Sequence, residues 1–162
     1  MDQPSTRAYL AFLFRSESGR IARKDWWLGT GLLAAILVIF ELGWLQLAPY
    51  ANRGLDDRAL IDPGVLAVYC YALVFALAFL LCGISFFLLS IKRLRDLGQP
   101  TALAGLVPFA IFIASALHWL QPRVNEVMGR GWVWGMDALL LMVLIWTCYE
   151  LGLKPAHSSS QS

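Results

Sequence analysis

Four apolar stretches fill most of this 162-residue chain, and they decide its solvent before any other question arises. They run from about Trp26 to Ala48, Gly64 to Ile91, Thr101 to Gln121 and Gly131 to Leu153. A helix crosses a hydrocarbon core of ~30 Å with ~20 residues, so each stretch is long enough to span a bilayer. Composition agrees: 59% of residues are hydrophobic and 15% charged, with a mean hydropathy of +0.62. Soluble domains carry about 25% charged residues. The expected fold is all-α, a polytopic membrane protein of four transmembrane helices. The remaining residues are too few for a soluble domain with its own core.

The expected division is a leading segment 1–25, a membrane domain 26–153 and a disordered polar tail 154–162. In the leading segment, Ser5 to Arg15 reads STRAYLAFLFR, apolar with basic ends and too short to span. It predicts a short amphipathic helix at the membrane surface, capped by Ser5 or Thr6. Its apolar run, Ala8 to Phe14, is too short for the core of a cleavable signal peptide, and charge follows at once. The second stretch holds 28 residues without a charge, about 42 Å of helix. It either tilts or runs out of the membrane with Lys92 to Asp96. Pro108 should kink the third span or open its first turns.

Charge orients the chain. Arg7, Arg15, Arg20, Arg23, Lys24, Lys92, Arg93, Arg95 and Lys154 fall on one side; Arg53, Arg58, Arg123 and Arg130 fall on the other. Nine cations against four place both termini in the cytoplasm by the positive-inside rule. Trp26, Trp27, Trp146 and Tyr149 sit at the cytoplasmic ends of the spans, and Trp44, Tyr50, Trp119, Trp132 and Trp134 at the other ends. They read as two interfacial belts.

Signals of chemistry are sparse. Cys70, Cys82 and Cys148 lie inside the spans, odd in number and without a CxxC pair. They read as apolar fillers, with no disulfide, metal site or cofactor expected. GxSxG, HExxH and P-loop motifs are absent, so the chain reads as non-enzymatic. Nucleic acid is a poor partner for cations this few and this close to the membrane. Small residues four apart at Gly31/Ala35, Ala72/Ala76, Ala110/Ala114 and Gly131/Gly135 let helices approach closely. They fit an intramolecular bundle, a homo-oligomer or another membrane protein equally well.

Glu41, Asp137 and Glu150 interrupt the apolar sequence. An ionisable residue at that depth costs ~2.5–3.5 kcal/mol, which invites a functional reading. Glu41 and Asp137 both lie ~10 Å below the outer boundary, with His118 near it, so the three could share one polar site. A Glu in the first of four helices resembles the arrangement of small proton-coupled multidrug exporters. Hydrogen-bonded carboxylates that only pack helices fit the same residues. Glu150 falls near the cytoplasmic boundary, level with Lys92 and Arg93.

Two basic motifs frame the first two spans. Gly19-Arg20-Ile21-Ala22-Arg23-Lys24-Asp25-Trp26-Trp27 precedes the first, and Lys92-Arg93-Leu94-Arg95-Asp96-Leu97-Gly98 follows the second. Lys92 and Arg93 are four and three residues from Asp96, able to share its helix face, and Gly98 with Pro100 should end that helix. The two motifs should also meet, with Arg20, Arg23 or Lys24 near Asp96 and Asp25 near Arg93 or Arg95. Their plain reading is positive-inside anchoring with a structural ion-pair cluster. Their sharper reading is a basic collar that binds anionic lipid headgroups, since Arg grips phosphate bidentately.

The pair of motifs resembles a family of small bacterial inner-membrane proteins known as domain of unknown function 805. That family shows a GRxxRxxxW-type stretch before its first helix and an RRLHDxG-type stretch after its second. Order, spacing and flanking spans match over about residues 12 to 110. Arg95 stands where the family usually has His, and the chain ends its last span on Gly152-Leu153-Lys154-Pro155 rather than the family's usual finish. The resemblance implies the bacterial inner membrane and this topology. It implies no chemistry.

Overall fold

The described residues form five α-helices: α1 (Thr6–Arg15), α2 (Arg23–Ala51), α3 (Pro63–Asp96), α4 (Leu106–Leu120) and α5 (Gly131–Thr147). The computed structural model describes residues 6–51, 63–124 and 129–155, and no strand occurs among them. Four segments are long and apolar enough to cross a membrane: Arg23–Tyr50, Pro63–Asp96, Thr101–Arg123 and Gly131–Leu153. The protein is a multi-pass membrane protein with a short N-terminal helix. The cap expected of Ser5, the loop cations Arg53 and Arg58, and the tail from His157 lie outside the described residues.

The helix ends follow from local chemistry. α2 starts at Arg23, three residues earlier than apolarity predicts, because Trp26 N–H already bonds Ala22 O at 3.1 Å. The second half of the first motif is therefore helical. α3 is 34 residues long, about 51 Å at the α-helical rise. That exceeds a hydrocarbon core, and the last turn carries the second motif beyond the apolar stretch. Gly98 does end α3. At φ +67° it takes the left-handed conformation, with Gly98 N–H on Arg95 O (3.3 Å) and Gln99 N–H on Leu94 O (2.9 Å). These two bonds make a Schellman cap.

The third span opens as a 3₁₀ turn over Thr101–Gly105 before α4 begins at Leu106. Pro108 thus falls in the first α-helical turn, where its missing N–H costs no bond. The last span changes character at its far end. α5 gives way to a π-helical turn, Cys148–Leu153, just after Thr147 Oγ1 donates back to Val143 O at 2.8 Å.

Packing divides the chain into two compact units. One comprises Met1–Gly29 and Phe87–Ser162. In it α4 lies along α5, and Val107, Ala110 and Ala114 are buried. The Ala110/Ala114 step therefore serves intramolecular packing. Leu13, Ile21, Trp26, Leu89, Leu94 and Leu151 form a small apolar core beneath the two motifs. Trp26 is 1% exposed, which removes it from the interfacial belt and makes it a core residue. A Cβ on Gly29 would stand 2.9 Å from Leu89 Cδ1, so α2 and α3 need glycine there.

The other unit is Thr30–Phe86, the remainder of α2 and α3. Its centre is aromatic: Phe40 stacks on Phe75 at 5.6 Å, and Tyr71 leans on both. The Tyr71 hydroxyl donates to Phe40 O at 2.6 Å and lies where a Cβ on Gly43 would project. Glu41 belongs to this unit and is exposed.

Candidate functional site

Three helix C-termini converge in the first unit: those of α1, α3 and the π turn after α5. The last carbonyls of a helix lack intrahelical donors and carry its partial negative charge. The second motif satisfies them. Lys92, 0% exposed, sends its ammonium to Phe12 O and, at 2.8 Å, to Leu13 O, and lies 4.7 Å from the Phe12 ring centre. It caps α1. Arg93, 1% exposed, donates Nε–H to Leu151 O at 3.0 Å and Nη2–H to Lys154 O at 2.6 Å, and pairs through Nη1 with Asp96. It caps the π turn. Arg95 donates to Glu17 O, in the turn between α1 and α2.

The two carbonyls between those of Leu151 and Lys154 are taken by α2. Trp27 donates its indole N–H to Gly152 O at 3.0 Å, and Arg23 reaches Leu153 O at 3.4 Å. Four consecutive carbonyls thus receive donors from Arg93, Trp27 and Arg23. Gly152 makes this possible, since a Cβ there would be 2.6 Å from Trp27 Cζ2. Glu150, 6% exposed, lies within the turn and pairs with Lys154 Nζ at 2.6 Å.

The first motif behaves differently. Arg20, Arg23 and Lys24 are exposed. They sit at the N-terminus of α2, whose partial positive charge repels cations; Arg20 and Lys24 make no ion pair with a described carboxylate, while Arg23 reaches away to Leu153 O. Asp25 is favourable in that first turn and accepts the Tyr9 hydroxyl at 2.8 Å. This bond, burial and the nearby carboxylate together hold the Tyr9 phenol above its ordinary range.

The expected approach of the two motifs does not take the form of a direct ion pair. No ion pair links Asp25 to Arg93 or Arg95, or Asp96 to Arg20, Arg23 or Lys24, among the described residues. Asp96 is used by its own helix, and Asp25 by α1. Each motif is bound instead to α1 and to the C-terminal turn.

Within the last two spans, His118 Nε2 lies 2.9 Å and 3.2 Å from the two carboxylate oxygens of Asp137. Both side chains are partly open, at 57% and 44% exposure. The pair ties α4 to α5. Beyond it, Arg123 lies over the Trp119 ring at 3.8 Å.

A family model described as a protein of unknown function, DUF805, matches residues 14–158. The chain belongs to the DUF805 family. The match runs through the C-terminal turn, well past the residues that the two motifs alone connect. Arg95, which replaces the usual DUF805 histidine, uses one N–H on the Glu17 carbonyl. No curated protein and no solved structure matches the chain.

Sequence reasoning found the two motifs and the His118–Asp137 level. It missed Tyr9, Trp27, Gly152 and the carbonyl ladder. A carbonyl acceptor has no residue signature, and only the glycine closing the last span hinted at close approach.

Proposed function

We propose that this DUF805 protein is a non-enzymatic accessory protein of the bacterial inner membrane. Both termini face the cytoplasm, and its basic collar contacts anionic lipid headgroups while the spans engage another membrane protein or a second copy. One observation carries the headgroup reading. Lys92 and Arg93 of the second motif are buried on carbonyls, whereas Arg20 and Lys24 of the first are exposed and make no ion pair with a described carboxylate. The exposed set is the surface on which lipid phosphates act.

The test uses the purified chain in nanodiscs of mixed zwitterionic lipid and phosphatidylglycerol. Arg20→Gln with Lys24→Gln should lower the phosphatidylglycerol retained around the protein several-fold. Equal retention would end the headgroup reading. Single cysteines at Ser18 and Gln99, on a background without the native three, should label only after the membrane is opened. Labelling in intact cells would reverse the orientation.

A small proton-coupled transporter is the second reading, favoured by the His118–Asp137 pair within the spans. Asp137→Asn and Glu41→Gln in proteoliposomes under a pH gradient test it. Proton flux lost in either variant, with folding intact, would replace the accessory reading.

A further inference from the structure

Glu41 lies on α2 in the unit Thr30–Phe86, about 14 Å of helix from the end of its span at Tyr50. That is too deep for its short stem to carry the carboxyl to the interface. The side chain is exposed and makes no hydrogen bond or ion pair among the described residues. The packing of this unit uses another side of α2. Leu33 is buried, Phe40 stacks on Phe75, and Gly43 leaves room for the Tyr71 hydroxyl. By helical periodicity those three positions cluster, and Glu41 lies roughly 110° around the helix from them. An ionisable group at such depth is costly unless it is paired.

Glu41 also belongs to a regular stripe. Gly31, Ala34, Val38, Glu41 and Leu45 follow one another at alternating intervals of three and four residues, and all five are exposed. A Cβ on Gly31 would meet nothing within 4 Å. The alternation is the spacing of a coiled-coil seam, in which one polar core residue fixes the register of the paired helices. Small residues at one end of the seam let two helices approach closely.

We infer that this stripe is the contact between two copies of the chain, α2 against α2, with Glu41 facing Glu41. The inference rests on the reading that the spans engage a partner, and it names a second copy as that partner. Copies inserted in the same sense bring their α2 helices together in parallel. A two-fold axis along the bilayer normal then sets each seam residue opposite itself. A carboxyl accepts through its oxygens and, with one proton held between the pair, also donates, so each Glu41 supplies what the other lacks. A different protein with a cation at that depth would answer Glu41 alone. A second α2 matches the seam along its whole length.

The test uses the full chain in liposomes, with its three native cysteines replaced by alanine and a single cysteine placed at Val38, Leu45 or Ile39. Ile39 is as exposed as the others but lies off the seam. On oxidation, linked dimers should form at Val38 and Leu45 and be several-fold scarcer at Ile39. Energy transfer between labelled copies should give a dimer whose dissociation constant rises about tenfold in Glu41→Leu and less than about threefold in Glu41→Gln, which keeps a donor and an acceptor. Unchanged helical content shows that each variant is folded. Monomers at every lipid dilution would overturn the pairing and leave a different membrane protein as the partner. Equal linking at Ile39, or a dimer indifferent to Glu41→Leu, would overturn it by moving the contact to another face. The accessory reading fails separately, through proton flux lost in Glu41→Gln, a variant expected here to keep the pair.

Discussion

The stretches Gly19–Trp27 and Lys92–Gly98 each carry three cations and one aspartate, and each adjoins one end of an apolar span. Lys92 and Arg93 are among the most deeply buried of the described side chains, whereas Arg20 and Lys24 are exposed and Arg23, also exposed, reaches Leu153 O with one N–H. The difference lies in what each stretch meets. The second ends a helix among two other helix C-termini, whose unpaired carbonyls and dipoles attract cations. The first begins a helix, where N–H groups and the positive dipole end turn cations away. Position relative to helix polarity, rather than charge content, decides which cations become structure and which remain surface.

The largest test of this contrast is Arg93→Met. It strips donors from Leu151 O and Lys154 O and leaves Asp96 without its guanidinium. Breaking one side of a buried charged network costs about 3–5 kcal/mol. Thermal unfolding in detergent should drop accordingly, and amide exchange should rise across residues 151–154. A midpoint within a degree of the native one would break the comparison.

Gly152→Ala comes next. Its methyl collides with the Trp27 indole and should cost about 1–3 kcal/mol. Trp27→Phe keeps the ring but loses the bond to Gly152 O, worth about 1 kcal/mol. If the two substitutions are combined, the smaller ring should relieve part of the clash, so their effects should fall short of additive.

Tyr9 supplies a test through pH. Its phenol is held above the ordinary value of 10.0, first by the bond to Asp25, then by burial and the carboxylate charge. A raised folded-state value favours the protonated phenol. The stabilisation is complete below the unfolded value and is lost as pH rises through the folded one. Spin labels on α1 and at the end of α3 should separate above about pH 10. In Tyr9→Phe their distance should lose that transition.

The smallest effect is expected of Arg20→Gln with Lys24→Gln, whose stability should stay within about 0.5 kcal/mol of native. Destabilisation as large as that of Arg93→Met would show that the outward cations are structural after all.

Much of this architecture is legible in sequence, for identifiable reasons. Long apolar runs declare helices because lipid leaves no other way to satisfy the backbone. Gly98 marks the end of α3 because the left-handed cap wants a glycine. Asp137 and His118 could be matched in depth by counting residues, but depth says nothing of lateral placement. Glu41 matches them in depth by the same count, and it is exposed. The destinations of Lys92 and Arg93 were hidden for a different reason. Their acceptors are main-chain oxygens of Phe12, Leu13, Leu151 and Lys154, which any amino acid offers equally.

The double cap at the end of α3 also has a place in time. A ribosome makes the carbonyls for Lys92 first, since Phe12 and Leu13 are upstream of it. Those for Arg93 arrive only with Leu151 and Lys154, after two more spans have been synthesised. During that interval the guanidinium has Asp96 alone from its final set of partners. Adjacent residues therefore belong to different stages of biogenesis: Lys92 can fasten the beginning of the nascent chain early, and Arg93 closes the fold only when the last helix has entered the membrane.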